Sequence, residues 1–293
     1  MTHAVNWRSL AIPSGEDLAG EPACWGQRHN WQGQFEEDRF AFESFNDTRQ
    51  RFYVDLAANK PVCSSTTWAL EHRGWDGICI DGALGYQMSL RRWRRCAVVR
   101  AVVDATVREN ASFLLLGGYG GLVGEGMDNQ RHQPRGTPEK EALVRTARLL
   151  DILDELDAPR AVDYLSLDVE GAELRALGSS ELLSRYVFRA LTIEKPPPAL
   201  NQLLFAHGYL WVRNAGGIDS FYVHASHPRA SALEANASFR QLPAKCVRGR
   251  HIVARLQRQN YTECHHRTQL TVRSMRNCCE YPGFPDRTVR YGF

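Results

Sequence analysis

Three acidic side chains, Asp168, Glu170 and Glu173, stand around Gly171 in the stretch Val162–Leu174, VDYLSLDVEGAEL. Carboxylates can accept or move a proton, orient a hydroxyl, or hold a cation. Their setting narrows the choice. Val162 to Ser166 is a short apolar run with β-branched and aromatic members, which predicts a buried strand. A helical pattern begins at Ala172. The acids therefore belong on the loop at the carboxyl end of a parallel strand, the edge where open α/β sheets place their ligands. A second reading explains part of the cluster. Acids are favoured at a helix N-terminus by the dipole, which accounts for Glu173 and in part for Glu170. Asp168 belongs to the strand end and is not covered by it.

The elements that must position these acids alternate. Phe52–Leu56 predicts a strand, Ser64–Arg73 a helix with Gly74 just past its end, and Gly77–Asp81 a second strand. Gly85–Trp93 predicts a helix and Cys96–Val103 a third strand. Phe113–Leu116 reads as an edge strand. Residues 117–138 hold seven glycines and two prolines, the composition of a lid, a binding loop or a disordered segment. Leu149, Leu150, Leu153 and Leu156 have helical spacing. After the acidic strand come a helix from Ala172, a strand at Ala190–Glu194 and a short helix at Asn201–Ala206. Tyr209–Arg213 and Phe221–His224 read as a hairpin. Strand–helix–strand order argues for right-handed crossovers and a parallel sheet.

This series resembles the FkbM-type methyltransferases, class I enzymes that use S-adenosylmethionine. The resemblance rests on YLSLDVEGAEL, and on Leu191-Thr-Ile-Glu194, His207-Gly-Tyr209 and Asp219-Ser-Phe-Tyr-Val223 downstream. Upstream it rests on Asp55-Leu-Ala-Ala-Asn59, Thr67-Trp-Ala-Leu-Glu71, Gly74–Ile80, Arg95–Val99 and Gly120-Gly-Leu122. It implies a Rossmann-like α/β fold with a mostly parallel seven-stranded sheet and helices on both faces. That domain is expected over 51–228, after an irregular, aromatic-containing lead (1–50) that packs on the body and before an irregular, basic, cysteine-containing extension (229–293).

The resemblance also implies roles. Asp55, Ala57, Ala58 and Asn59 would hold the methionine end of the cofactor, and Asp81 its ribose. Asp168, Glu170 and Glu173 would serve an acceptor hydroxyl on a small molecule or glycan. The cofactor loop departs from the family pattern D-x-G-A-N-x-G. Ala57 and Pro61 replace its glycines, where a Cβ crowds the ligand and proline cannot donate a hydrogen bond. Together these changes are expected to weaken S-adenosylmethionine binding by roughly a hundredfold or more. A methyltransferase-like fold kept as a binding or structural subunit is the alternative.

Bulk properties set the remaining bounds. The chain has 293 residues, 43% hydrophobic and 24% charged, ordinary for a globular domain with an extension. No apolar run is long enough to span a membrane, and the first 21 residues do not read as a signal peptide. The net charge of +3 is uneven. From Arg229 onward there are 12 basic and 4 acidic residues, +8, which leaves −5 on the rest. The extension is thus expected to meet an acidic surface, its own or a protein partner's. No nucleic-acid site is expected. The run Arg91-Arg-Trp-Arg-Arg95 falls at a helix C-terminus, where the dipole favours cations.

Cys79 and Cys96 read as plain core residues, and the other six cysteines as disulfides or free thiols. Cys264-His265-His266 and Cys278-Cys279 lack the spacing of a zinc site, so no metal is expected. Four N-glycosylation sequons, at Asn46, Asn110, Asn236 and Asn260, point to a secretory lumen if the chain is trimmed from a longer precursor. If Met1 is the native start, the cytoplasm is the default.

Overall fold

The computed structural model describes residues 31–233, apart from 46, 48, 128, 130–140 and 216. The extension beyond 233, with its charge, its Cys and His clusters and the Asn236 and Asn260 sequons, lies outside the described residues. So do Trp7, Trp25 and the Asn46 sequon.

Twelve strands and eight helices run along the described residues. Helix α1 (Glu37–Phe45) precedes β1 (Phe52–Leu56), α2 (Trp68–Glu71), β2 (Asp76–Asp81), α3 (Leu84–Trp93) and β3 (Ala97–Arg100). Five short strands follow, β4 (Val102–Val103), β5 (Ala111–Leu114), β6 (Gly121–Leu122), β7 (Glu141–Val144) and β8 (Thr146–Ala147). Then come α4 (Leu149–Glu155), β9 (Ala161–Leu167), α5 (Glu173–Leu177), α6 (Ser180–Arg185), β10 (Val187–Glu194), α7 (Pro198–Ala206), β11 (Tyr209–Ala215), β12 (Asp219–His224) and α8 (Ala230–Leu233).

Seven strands form one sheet in the order β11-β12-β10-β9-β1-β2-β3. The pairs among β10, β9, β1, β2 and β3 are parallel, and β12 runs antiparallel to both β10 and β11. This is the Rossmann-like α/β architecture that the alternating pattern predicts. The central strands FYVDL and AVDYLSL are buried almost throughout, because helices cover both faces. The pleat divides their side chains. Val54, Ile78, Ile80 and Leu165 meet Leu149, Leu153, Leu177 and Leu204 on one face. Tyr53, Cys79 and Tyr164 meet Ala41, Leu70 and Leu90 on the other.

The structure corrects four sequence readings. The lead is not irregular throughout, since 37–45 is helical. Ala41 and Phe45 pack into the core at a spacing of four, and Trp31 stacks near Phe42 at 5.6 Å and under the Arg73 guanidinium at 3.8 Å. The helix expected from Ser64 shortens to Trp68–Glu71. Ser64 takes φ +61, and Ser65 turns its hydroxyl to the amides of Thr67 and Trp68. The third strand breaks after Arg100, and Val102–Val103 pairs instead with β8. Phe113 is not on an edge of the main sheet. It belongs to a separate antiparallel sheet, β6-β5-β7.

The fifth correction concerns sulfur. Cys79 and Cys96 are joined in a disulfide with their Cα atoms 5.8 Å apart. Cys79 lies opposite Val98 in the β2–β3 register. Cys96, two residues earlier, therefore points to the same sheet face. Cys63 is disulfide-bonded as well. The Cys79–Cys96 bridge closes a ring over a separation of 17 residues, and a ring of that size stabilises by about 3 kcal/mol through the unfolded chain. Replacing both cysteines by alanine is expected to lower the urea unfolding free energy by about that amount and to steepen the denaturant slope, since the unlinked unfolded chain exposes more surface. Equal stability in the double variant would remove this role.

Candidate functional site

A cavity of about 570 Å³ opens beyond the carboxyl ends of β1, β2, β9 and β10. One half is backbone-lined and the other is lined with acids. The first half is built on β1 and β2. Asp55 is buried near the end of β1, and its two oxygens accept from the hydroxyls of Thr66 and Thr67. Ala57 and Ala58 follow, and both amides donate to the Ile80 carbonyl, at 2.9 and 3.1 Å. The turn needs left-handed backbone at two positions, Ala57 (φ +64) and Asn59 (φ +54). Alanine in that region costs about 1 kcal/mol that glycine does not. The loop thus keeps the glycine conformation without the glycine.

Asp81 ends β2 and ties this loop to the next. One carboxylate oxygen accepts from the Asn59 amide at 2.9 Å and the other from the Ala83 amide at 2.8 Å. Burial, assisted by the charge on Asp55, still raises its pKa to about 6. Across the cavity stands the glycine stretch 117–121. A Cβ at Gly118 would lie 3.1 Å from Asn59 Nδ2, and one at Gly121 would lie 3.1 Å from Asn129 Nδ2. Two motifs some sixty residues apart in sequence thus face each other as backbone. The side-chain oxygen of Asn59 is buried with no hydrogen-bond partner among the described residues. A ligand rich in donors fits such a lining.

Pro61 is placed differently from the expectation. It is buried but does not line the cavity. Its carbonyl accepts from Arg94 Nη1 at 3.3 Å. The donor that proline lacks is therefore not one the cavity would have used. Arg94 belongs to the basic run of α3. Arg91 and Arg92 occupy the last helical turn as the dipole argument expects, whereas Arg94 is buried.

The acidic half arises from strand register. Asp168 follows β9, and Glu194 ends β10. Ile193 pairs with Leu167 and Glu194 with Asp219, so three neighbouring strands bring Asp168, Glu194 and Asp219 side by side. Glu170 (φ +54) joins from the β9–α5 turn, and Glu37 from the first turn of α1. Carboxylate oxygens of Asp168, Glu170 and Glu194 lie within 4.8 Å of one another, the grouping that oxygen-loving cations use. Lys195 pairs with Glu194.

Asp168 is accessible through the cavity yet walled by protein elsewhere. Burial, then the charges of Glu194, Glu170 and Asp219, hold its pKa well above the carboxylate range. Burial and a shared hydrogen bond with Glu37 push Asp219 up to about 9. Glu173 does not line the cavity. Its carboxylate accepts from the amides of Gly171 (3.0 Å) and Val169 (3.4 Å), the helix-start role that was its second reading. Glu37, Glu194, Lys195 and Asp219 were missed in the sequence. Glu194 carried the same signal as Asp168, an acid closing an apolar strand. Glu37 carried none.

The FkbM methyltransferase domain matches residues 28–217. The chain belongs to that family. No curated protein matches it. The matched span begins ahead of α1 and takes in both halves of the cavity except Ile218 and Asp219, so the FkbM domain of this chain includes the helix that brings Glu37.

The acidic half gives a pH signature. A carboxyl whose pKa is raised by folding favours the fold at low pH, and that advantage is lost as pH rises from the unfolded value near 4 towards the folded one. For Asp219 the window runs from about 4 to about 9. Asp219→Asn is therefore expected to raise the melting temperature by several degrees at pH 8 and by little at pH 4. An equal effect at both pH values would mean that Asp219 titrates normally.

Proposed function

We propose that this chain is an S-adenosylmethionine-dependent methyltransferase that acts on a hydroxyl of a small molecule or sugar. The observation that carries the reading is the division of one cavity into a backbone-lined half and a carboxylate half at the carboxyl edge of an FkbM-family sheet. The residues present suit the cofactor. Asp55, the 57–59 turn and Asn59 would hold its methionine end, and Asp81 its ribose hydroxyls. Bound there, S-adenosylmethionine supplies the methyl group. In its ionised form Asp168 orients the acceptor hydroxyl and takes its proton; the raised proton affinity makes that carboxylate a stronger base and confines it to higher pH. Glu170 and Glu194 keep that proton affinity high by their charge. The rest of the catalysis is alignment in a walled cavity.

Two disulfide-bonded sites and an exposed sequon at Asn110 favour an oxidising, secretory compartment for this activity. One observation favours the second reading, a binding subunit without turnover. Ala57 carries backbone strain and a methyl group where the family uses glycine.

Calorimetry with S-adenosylmethionine separates the two. The enzyme reading expects measurable binding that tightens in Ala57→Gly and does not tighten in Pro61→Gly, since Pro61 does not line the cavity. No binding by either the native chain or Ala57→Gly would leave the subunit reading. In the active protein Asp168→Asn is expected to lower turnover by about a hundredfold or more while cofactor affinity stays the same. Full turnover in that variant would end the role given to Asp168.

A further inference from the structure

The cofactor turn is short of glycine, yet it holds its left-handed shape. A buried arginine lies underneath the segment that follows it. The Arg94 side chain has no solvent exposure. Its guanidinium donates to five groups, namely Glu71 Oε2 at 3.1 Å, Tyr53 OH at 3.1 Å, Ser65 Oγ at 3.1 Å, Thr67 Oγ1 at 2.8 Å and the Pro61 carbonyl at 3.3 Å. Three of these, Pro61, Ser65 and Thr67, belong to the segment that closes the cofactor turn. Thr67 passes the contact on, since its hydroxyl donates to Asp55. Ser65 passes it on to the start of α2.

Geometry sets arginine apart here. A planar fork can satisfy acceptors on several sides at once, and a lysine ammonium has three donors at one point. The buried charge is balanced by Glu71, whose oxygens also take the amides of Arg95 and Cys96 and the Tyr53 hydroxyl. The ion pair thus spans the end of α3, the end of α2 and β1. Its remaining donors reach upward to the loop.

We infer that Arg94 is the positioning residue of the cofactor turn: it holds Pro61, Ser65 and Thr67, and through Thr67 holds Asp55, in the arrangement that receives the cofactor. In this chain the brace holds the segment that follows a turn in which Ala57 is left-handed without being glycine. The inference rests on the methyl-transfer reading for its ligand, though the brace itself does not.

The test uses the full chain, Arg94→Lys, and Arg94→Met combined with Glu71→Gln, which removes both buried charges together. Three measurements are made, namely thermal unfolding, hydrogen exchange of the amides of Ala57, Ala58 and Asn59, and calorimetry with S-adenosylmethionine. In any variant that folds, those amides are expected to exchange about tenfold faster or more and cofactor affinity to fall about tenfold or more, while amides of β9 and β10 keep their protection. A double variant that recovers thermal stability but not affinity supports positioning, because charge balance is restored and the loop contacts are not. Native exchange and native affinity in either variant overturn the inference. Absent binding by both the native chain and Ala57→Gly refutes the methyl-transfer reading instead, and the exchange rates then decide the brace alone.

Discussion

The ion pair of Arg94 with Glu71 is the interaction on which the site end of this fold depends. Neither side chain meets solvent to any extent. A charge buried that way is tolerated only when it is paired and its remaining donors are used. Here every direction of the guanidinium finds an acceptor, and the acceptors come from β1, the turn and α2. Removing one partner of such a pair typically costs about 3–5 kcal/mol, because the other charge is stranded. The pair therefore fixes more than local geometry. It sets where α2 begins, and so where Asp55 and its hydroxyl donors stand.

The opposite end of the cavity obeys a different constraint. Parallel and antiparallel registers bring Asp168, Glu194 and Asp219 onto adjacent strand tips, and no choice of rotamer within the sheet separates them widely. Glu37 and Glu170 add to the same side. The unfavourable charge is relieved by retained protons, which is why Asp168 and Asp219 move up, and by Lys195 beside Glu194. One half of the cavity is thus a backbone turn tied down by Asp55 and Asp81, and the other a crowded set of acids. The two halves share the sheet edge as a common base.

The parts of this structure governed by period and strand burial were legible in the sequence. FYVDL, the β2 run and the β9 run could only be buried strands, and the acids at their ends had to fall on one edge. The DVEGAE stretch puts Asp168 and Glu170 at that edge, where they line the cavity, for the same reason. What was not legible depends on contacts between distant segments. Arg94 sits in a run that reads as a solvated helix end, and only the tertiary position of Glu71 draws it inward. The Cys79–Cys96 bridge needs the β2–β3 register, which two cysteines in apolar strands do not announce. Glu37 reaches the cavity because α1 packs on the sheet. Pro61 looked like a defect in a motif, and its true partner lies 33 residues away.

The crowding of carboxylates also bears on how such a site persists through descent. Folding alone gives no reason to keep Asp168, Glu194 and Asp219 together, since neutral replacements would relieve their repulsion. Random substitution at these three strand tips would then be rewarded by a sturdier protein. The crowding of these three carboxylates is thus a cost that the sheet by itself does not require.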